Sequence, residues 1–245
     1  GLTPSKVNTI DYVTIASTGN ASEFGDLIDE RNPDNSQICS HIRGLFVGAE
    51  NPGPPACTII DYITIATTGN ATDFGDLTST RGDGAAASSP TRGVFCGGRI
   101  DGPNYSDTID YIAIGTPATT ATDFGNLAGN RAWCGTCSDG SRGVSSGGFT
   151  NVGGNQSLNA IQYITIATPG DAGTFGNLTM VGDEHAGMSN GIRGVFGGGS
   201  PGPSQINTIE YITIATVGNV TDFGDLMYAH ANGGGTSNGT RGIFG

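Results

Sequence analysis

The sequence predicts an all-β chain of five equal repeats, each folding as a small four-stranded sheet, and three observations predict it. The first is periodicity. Tyr occurs at 12, 62, 111, 163 and 211, a Phe-Gly pair follows 12 or 13 residues later, and an Arg-Gly pair 18 or 19 beyond that. These landmarks keep register five times at a period of 48 to 52 residues and tile the 245-residue chain, so the repeat sets the fold. The second is composition. Gly supplies 43 of the 245 residues, good helix formers are scarce, and no stretch has helical spacing. A Gly costs a helix about 1 kcal/mol against Ala, so helices are not expected. The third is the even alternation of Ile/Thr/Tyr-rich runs with Gly-, Asn- and Pro-bearing turns. Four strands in about 50 residues is the signature of a propeller blade. The expected fold is therefore a five-bladed β-propeller with four antiparallel strands per blade, a single domain over residues 1–245.

Each strand has its own reason. The first of a blade is made of small residues, as in "AAASS" (85–89), which suits the crowded axis of a ring. The second carries Arg-Gly-x-Phe and then Gly-Gly, as in "RGVFCGG" (92–98). The third holds the Tyr in a run such as "NTIEYITIAT" (207–216), whose alternate apolar residues fit a half-buried strand. A Gly-Asn pair then reads as a hairpin turn, and the Phe-Gly strand, "TDFGDL" (221–226), returns. The Phe and Tyr columns are expected to fill the space between blades, since each buried aromatic removes about 150–250 Å² from water. The chain opens with a third and a fourth strand and closes with a first and a second. These halves predict a composite blade, two N-terminal plus two C-terminal strands, that closes the ring and removes its free edges. Strand exchange with a neighbouring molecule is the alternative use of the same halves.

The repeat resembles the kelch motif. "VFCGG" (94–98), "DYIAI" (110–114), "DFGNL" (123–127) and Arg131 stand in the kelch order of Gly-Gly, Tyr strand, aromatic and Arg. Phe replaces the usual kelch Trp in all five copies, the first Gly-Gly is Gly48-Ala49, and the Arg column reads Arg31, Arg81, Arg131, Gly182 and His230. The texture is also similar to Gly/Thr-rich repeats of bacteriophage tail-fibre and surface proteins. The resemblance implies a binding or scaffolding module, in a virion or another extracellular setting, although a few kelch-like propellers are enzymes.

Charge narrows the partners. With 22 acidic and 10 basic residues the net charge is −12, and Lys6 is the only lysine. Nucleic acid is not an expected partner, because phosphate contacts need Lys and Arg. No apolar run is long enough for membrane insertion. The chain begins with Gly rather than Met, which reads as a processed product or part of a larger protein or assembly. Five cysteines cannot all pair with one another. "CGTC" (134–137) has redox or half-zinc spacing but no second CxxC, and Cys39 stands in a column otherwise occupied by Ser88, Ser138, Ser189 and Ser237. Small buried filler is the expected role.

No cofactor, metal or catalytic set is expected. The three histidines, His41, His185 and His230, do not repeat, and no GxSxG occurs. The acidic column Asp11, Asp61, Asp110 and Glu210, with Gln162, lacks a calcium-loop pattern and reads as solvated strand faces. Five Arg-Gly arginines would suit an axial anion, but their regularity favours blade-to-blade pairing with a carboxylate or carbonyl. What varies between blades is the connection from second to third strand and from fourth to first, expected on one face, where a rigid scaffold presents binding groups. Trp133, the only Trp, and Tyr105 are the candidates for stacking on a sugar, with Arg31, Arg81, Arg131 and His230 beside them. Trp133 as a core plug remains open. The expected function is non-enzymatic recognition of a glycan or cell-surface receptor. A purely structural virion or filament block is the alternative, and a propeller-type hydrolase the third.

Overall fold

The computed structural model describes residues 7–31, 37–48, 57–101, 103–117 and 120–245. Among them there are 22 strands and no helix. Four sheets share one strand order. Sheet I is β3 (Gln37–Cys39), β4 (Arg43–Val47), β5 (Ile59–Thr64) and β6 (Thr72–Asp76). Sheet II is β7 (Ala85–Ser88), β8 (Arg92–Arg99), β9 (Tyr105–Ala113) and β10 (Thr122–Asn126). Sheet III is β11 (Gly135–Ser138), β12 (Arg142–Ser146), β15 (Ala160–Thr165) and β16 (Gly173–Asn177), with a small hairpin of β13 (Phe149–Thr150) and β14 (Gln156–Ser157) inserted after β12. Sheet IV is β17 (Ala186–Ser189), β18 (Arg193–Gly197), β19 (Thr208–Thr213) and β20 (Thr221–Asp225). Each is an antiparallel meander in the same register: Leu45 faces Tyr62, Val94 faces Tyr111, Val144 faces Tyr163 and Val195 faces Tyr211.

Two hairpins flank these sheets, β1 (Thr9–Tyr12) with β2 (Ser22–Asp26), and β21 (Gly235–Ser237) with β22 (Gly242–Phe244). Among the described residues they stand as separate two-stranded sheets.

The core lies between consecutive sheets. Leu45 and Phe74 of sheet I pack on Ile112 and Ile114 of sheet II. Val94 and Phe124 repeat this against Ile164 and Ile166, and Val144 and Phe175 against Ile212 and Ile214. Each such side chain contributes about 1.5–3 kcal/mol by leaving water. The Tyr column packs against the margin of this space, as partly buried rings. Tyr62, Tyr111 and Tyr163 stand edge-on to the Phe of their own sheet, with ring centroids 5.8, 5.9 and 6.1 Å apart. Each is capped by the arginine of the Arg-Gly pair, whose guanidinium lies 4.4–4.7 Å above the ring. That arginine also donates to the next sheet: Arg43 Nη1 to the Ile114 carbonyl at 2.8 Å, Arg92 to Ile166 at 2.9 Å and Arg142 to Ile214 at 2.8 Å. One side chain thus binds two sheets, the architectural role expected of it.

Two further motifs are sheet-to-sheet devices. The Gly-Asn pair does not close a tight hairpin, because the connection from β5 to β6 runs from Ile65 to Ala71. Instead the Gly69 amide donates to the Phe24 carbonyl at 2.8 Å, and Asn70 Oδ1 accepts from the Asp26 amide at 3.1 Å. Gly170 with Asp171 and Gly218 with Asn219 repeat the clamp. The Gly-Gly pair lets the returning strap cross its own sheet. Gly97 has φ +64, and a Cβ there would lie 2.5 Å from the Arg131 carbonyl, which accepts the Gly98 amide at 2.8 Å. Only Gly permits that approach.

Candidate functional site

The straps that follow β6, β10, β16 and β20 each turn toward the next sheet through one residue with positive φ: Asp83, Trp133, Glu184 and Asn232, at 56°, 56°, 57° and 59°. These corners are joined by backbone. The Trp133 amide donates to the Asp83 carbonyl (2.9 Å), Glu184 to Trp133 (2.8 Å) and Asn232 to Glu184 (3.2 Å). They therefore gather at one end of the inner strands. A cavity of about 300 Å³ runs beside them, lined by Gln37, Cys134, Thr136, His185 and Gly233–Gly235. Gln37 belongs to β3 and Gly235 to β21, so the first and last inner strands of the described meanders face one cavity.

Trp133 is costly in a left-handed conformation, where Asn, Asp or Gly is preferred. Packing retains it. Its ring lies 5.6 Å from Tyr105 and 5.8 Å from Phe149, and those two lie 5.8 Å apart, all edge-to-face. The fold places the three together. Tyr105 starts β9, and Phe149 is bridged to Ala132, the residue before Trp133, by two backbone hydrogen bonds of 3.1 and 2.9 Å. Tyr105 is buried, and Trp133 and Phe149 are half-buried. Burial pushes the Tyr105 phenol up, Arg99 opposes this, and Asp83 and Asp183 add to it. Asp183 is itself pushed up by burial against a 2.8 Å hydrogen bond from Ser157 Oγ, with Glu184 adding to the rise. The trio is thus a packed aromatic cluster, in which Tyr105 is buried and Trp133 and Phe149 keep part of their surface open.

Of the residues singled out from sequence, Tyr105 and Trp133 meet. The arginines do not join them. Arg31 and Arg81 are 1% and 2% exposed and pair with Asp61 and Asp110 of the next sheet at 2.7 and 2.6 Å. Burial pulls the Arg81 guanidinium down and the Asp110 charge opposes it. Arg131 is buried too, donating to the carbonyls of Gly147 (3.2 Å) and Ala160 (3.3 Å). His230 is half-buried, its backbone tied to Ile206 and Gly199. Of the acidic column only Asp11 is exposed, as expected of a solvated face; the rest is not. Asp61, Asp110, Gln162 and Glu210 are buried, and each accepts the amide of the preceding strap, from Ile28, Thr78, Ala128 and Thr179 at 3.0–3.2 Å. Gln162 serves because an acceptor is all the position needs. Where the Arg column has Gly182, the His185 imidazole covers the gap, and a Cβ at Gly182 would lie 2.7 Å from its Cε1.

Cys96, Cys134 and Cys137 are buried free thiols, as expected of filler, whereas Cys39 is exposed. Among the described residues no three His, Cys, Asp or Glu side chains gather to hold a metal. Sequence reasoning missed Phe149, Asp83, Asp183 and Glu184. Phe149 follows a Gly-Gly pair where the other copies have Arg99 and Ser200, the same kind of departure from the repeat that marks Trp133.

No protein-family model matches this chain, and no curated protein matches it.

Proposed function

We propose that the chain is a closed five-bladed β-propeller of kelch-like blades, its fifth blade made of the two flanking hairpins, and that it is a non-enzymatic recognition module for glycans. The setting, an extracellular appendage such as a phage tail fibre, follows from the resemblance of the repeats. The observation that carries the recognition reading is the trio Tyr105, Trp133 and Phe149 at the axial end of the sheets. It sits where the repeat is broken rather than obeyed, and it includes a Trp held in a backbone conformation that Trp disfavours.

Trp133→Asn tests it. Asn occupies the equivalent corner at 232 with φ 59°, so the backbone keeps its conformation while the stacking ring is lost. Against a glycan array followed by titration of the best sugar, the substitution should weaken binding at least tenfold, since truncating a hot-spot aromatic costs about 2 kcal/mol or more, in a variant that still melts cooperatively. A retained affinity, or an array on which the parent protein binds nothing, would refute the reading.

A structural building block is the second reading, favoured by exposed apolar side chains on both hairpin-bearing ends, Tyr12, Val13 and Ile15 on one and Phe223 and Ile243 on the other.

A further inference from the structure

Every contact ladder that runs from sheet to sheet stops at the same place. Arginine-to-carbonyl bonds join Arg43 to Ile114, Arg92 to Ile166 and Arg142 to Ile214; by repeat position the next would join Arg193 to Ile15 and Arg241 to Ile65. Ile114, Ile166 and Ile214 are 1%, 1% and 0% exposed, whereas Ile15 is 98% and Ile65 46%. Gly69, Gly170 and Gly218 donate to Phe24, Phe124 and Phe175; the next pair is Gly19 with Phe223. The inner strands carry a third ladder. Ser88 Oγ donates to the Cys39 carbonyl at 3.3 Å, Ser138 to Ser88 at 3.2 Å, Ser189 to Ser138 at 2.5 Å, and Ser237 to Ser189. Its missing member is Cys39 with the Ser237 carbonyl.

The surfaces left open are complementary. Phe223 is 55% exposed where Phe74, Phe124 and Phe175 are buried. It borders a recess of about 260 Å³ with Met188, Arg193, Val195, Arg241 and Phe244. Elsewhere this space is filled by two Ile of the following sheet, such as Ile112 and Ile114. The residues in those positions on the β1–β2 hairpin are Val13 and Ile15.

We infer that this recess is the docking site of the chain's own β1–β2 hairpin, a contact that rests on the five-bladed reading and specifies it residue by residue. β22 pairs with β1 in the register of the four sheets, Gly242 with Val13, Ile243 with Tyr12 and Phe244 with Asp11. Val13 and Ile15 enter the recess, the Arg193 guanidinium takes the Ile15 carbonyl, and Arg241 stacks over Tyr12. His230 meets Asp11 where Arg31 meets Asp61 and Arg81 meets Asp110. The same chain is favoured over a second copy because Gln37 and Gly233–Gly235 already line one cavity. A tethered partner acts at millimolar effective concentration, on the order of that for short linkers, and forfeits no association entropy.

Tyr12→Cys with Ile243→Cys tests the seam, because in the inferred register the two residues are directly opposite in an antiparallel pair, about 4.5–5.5 Å apart at Cα, a spacing that a disulfide tolerates. Mild oxidation should yield one intramolecular bond, read as a linked 12–243 peptide in a protein that stays monomeric on non-reducing gels at all dilutions. Disulfide-linked oligomers, or two thiols that never join, overturn the inference. Ile15→Asp is the second measurement. It should lower Tm by about 5 °C or more if Ile15 is docked; an unchanged Tm, as for a fully exposed side chain, also overturns it. Glycan titration of the parent reads the recognition proposal separately, so failure at the seam and failure of recognition are distinguishable.

Discussion

At the scale of single residues, His185 shows how one departure from the repeat reshapes its surroundings. Its ring covers the gap at Gly182, is 5% exposed, and leaves Nδ1 without a partner. Burial pulls the imidazole down to about 4 from its ordinary 6.5. Between those two pH values the unfolded chain binds a proton that the folded chain refuses. The stability it contributes is whole above about pH 6.5 and drains away as pH falls toward 4. The gap is worth about 3 kcal/mol, an order-of-magnitude figure. His185→Gln removes the titration without adding charge. Thermal melts at pH 7 and pH 4.5 should show the parent losing more Tm than the variant over that drop. Parallel losses would mean that His185 is protonated in the folded state as readily as in the unfolded chain.

At the scale of elements, the strand columns were legible in the sequence because each is fixed by its own short-range pattern. Tyr, Phe-Gly and Arg-Gly recur at set spacings, and β4, β5 and β6 with their counterparts fall where those spacings put them. What links the elements was not legible. The Arg column and the acidic column were both visible, yet they read as a ligand face and as solvated strands. Their union depends on how far one sheet is offset from the next, which no spacing within a strand encodes. The Gly-Asn pair misled for the same reason, since its partners, such as Phe24 and Asp26 for Gly69 and Asn70, lie on another sheet. The candidate site was half legible. Trp133 stood out as a unique residue, but Phe149 meets it only because the strap runs alongside the start of β13. The buried pair that joins strap to strand gives the prediction at this scale. Asp110→Ala leaves the Arg81 charge without its carboxylate at 2% exposure and should cost about 3–5 kcal/mol. Replacing both, Arg81→Met with Asp110→Asn, which keeps an acceptor for the Thr78 amide, should recover most of that loss in urea melts. A double variant as unstable as the single one would show that the ion pair, and not relief of an unpaired charge, carries the joint.

At the scale of the whole molecule, the repeat decides where the charges go. Of ten basic residues, Arg31, Arg81 and Arg131 are buried between sheets, and Arg43, Arg92, Arg142 and Arg193 lie over tyrosines. Five of the acids, Asp61, Asp83, Asp110, Asp183 and Glu210, are buried too, but most of the 22 are not. The cations are spent on architecture, and a net charge of −12 is left largely to the surface. Two consequences oppose each other. Salt weakens exposed ion pairs, which would lower stability, and it screens repulsion among surface carboxylates, which would raise it. Arg31–Asp61 and Arg81–Asp110, ion pairs among the described residues, are buried, where salt reaches them poorly, so repulsion is the term that screening removes. Raising NaCl from 10 mM to 0.3 M shortens the screening length from about 30 Å to under 8 Å. Tm should therefore rise by a few degrees, most of the gain arriving below 0.15 M, and KCl should act alike. A flat or falling Tm would mean that exposed ion pairs outweigh the repulsion, and the placement of charge argued from the repeat would be wrong.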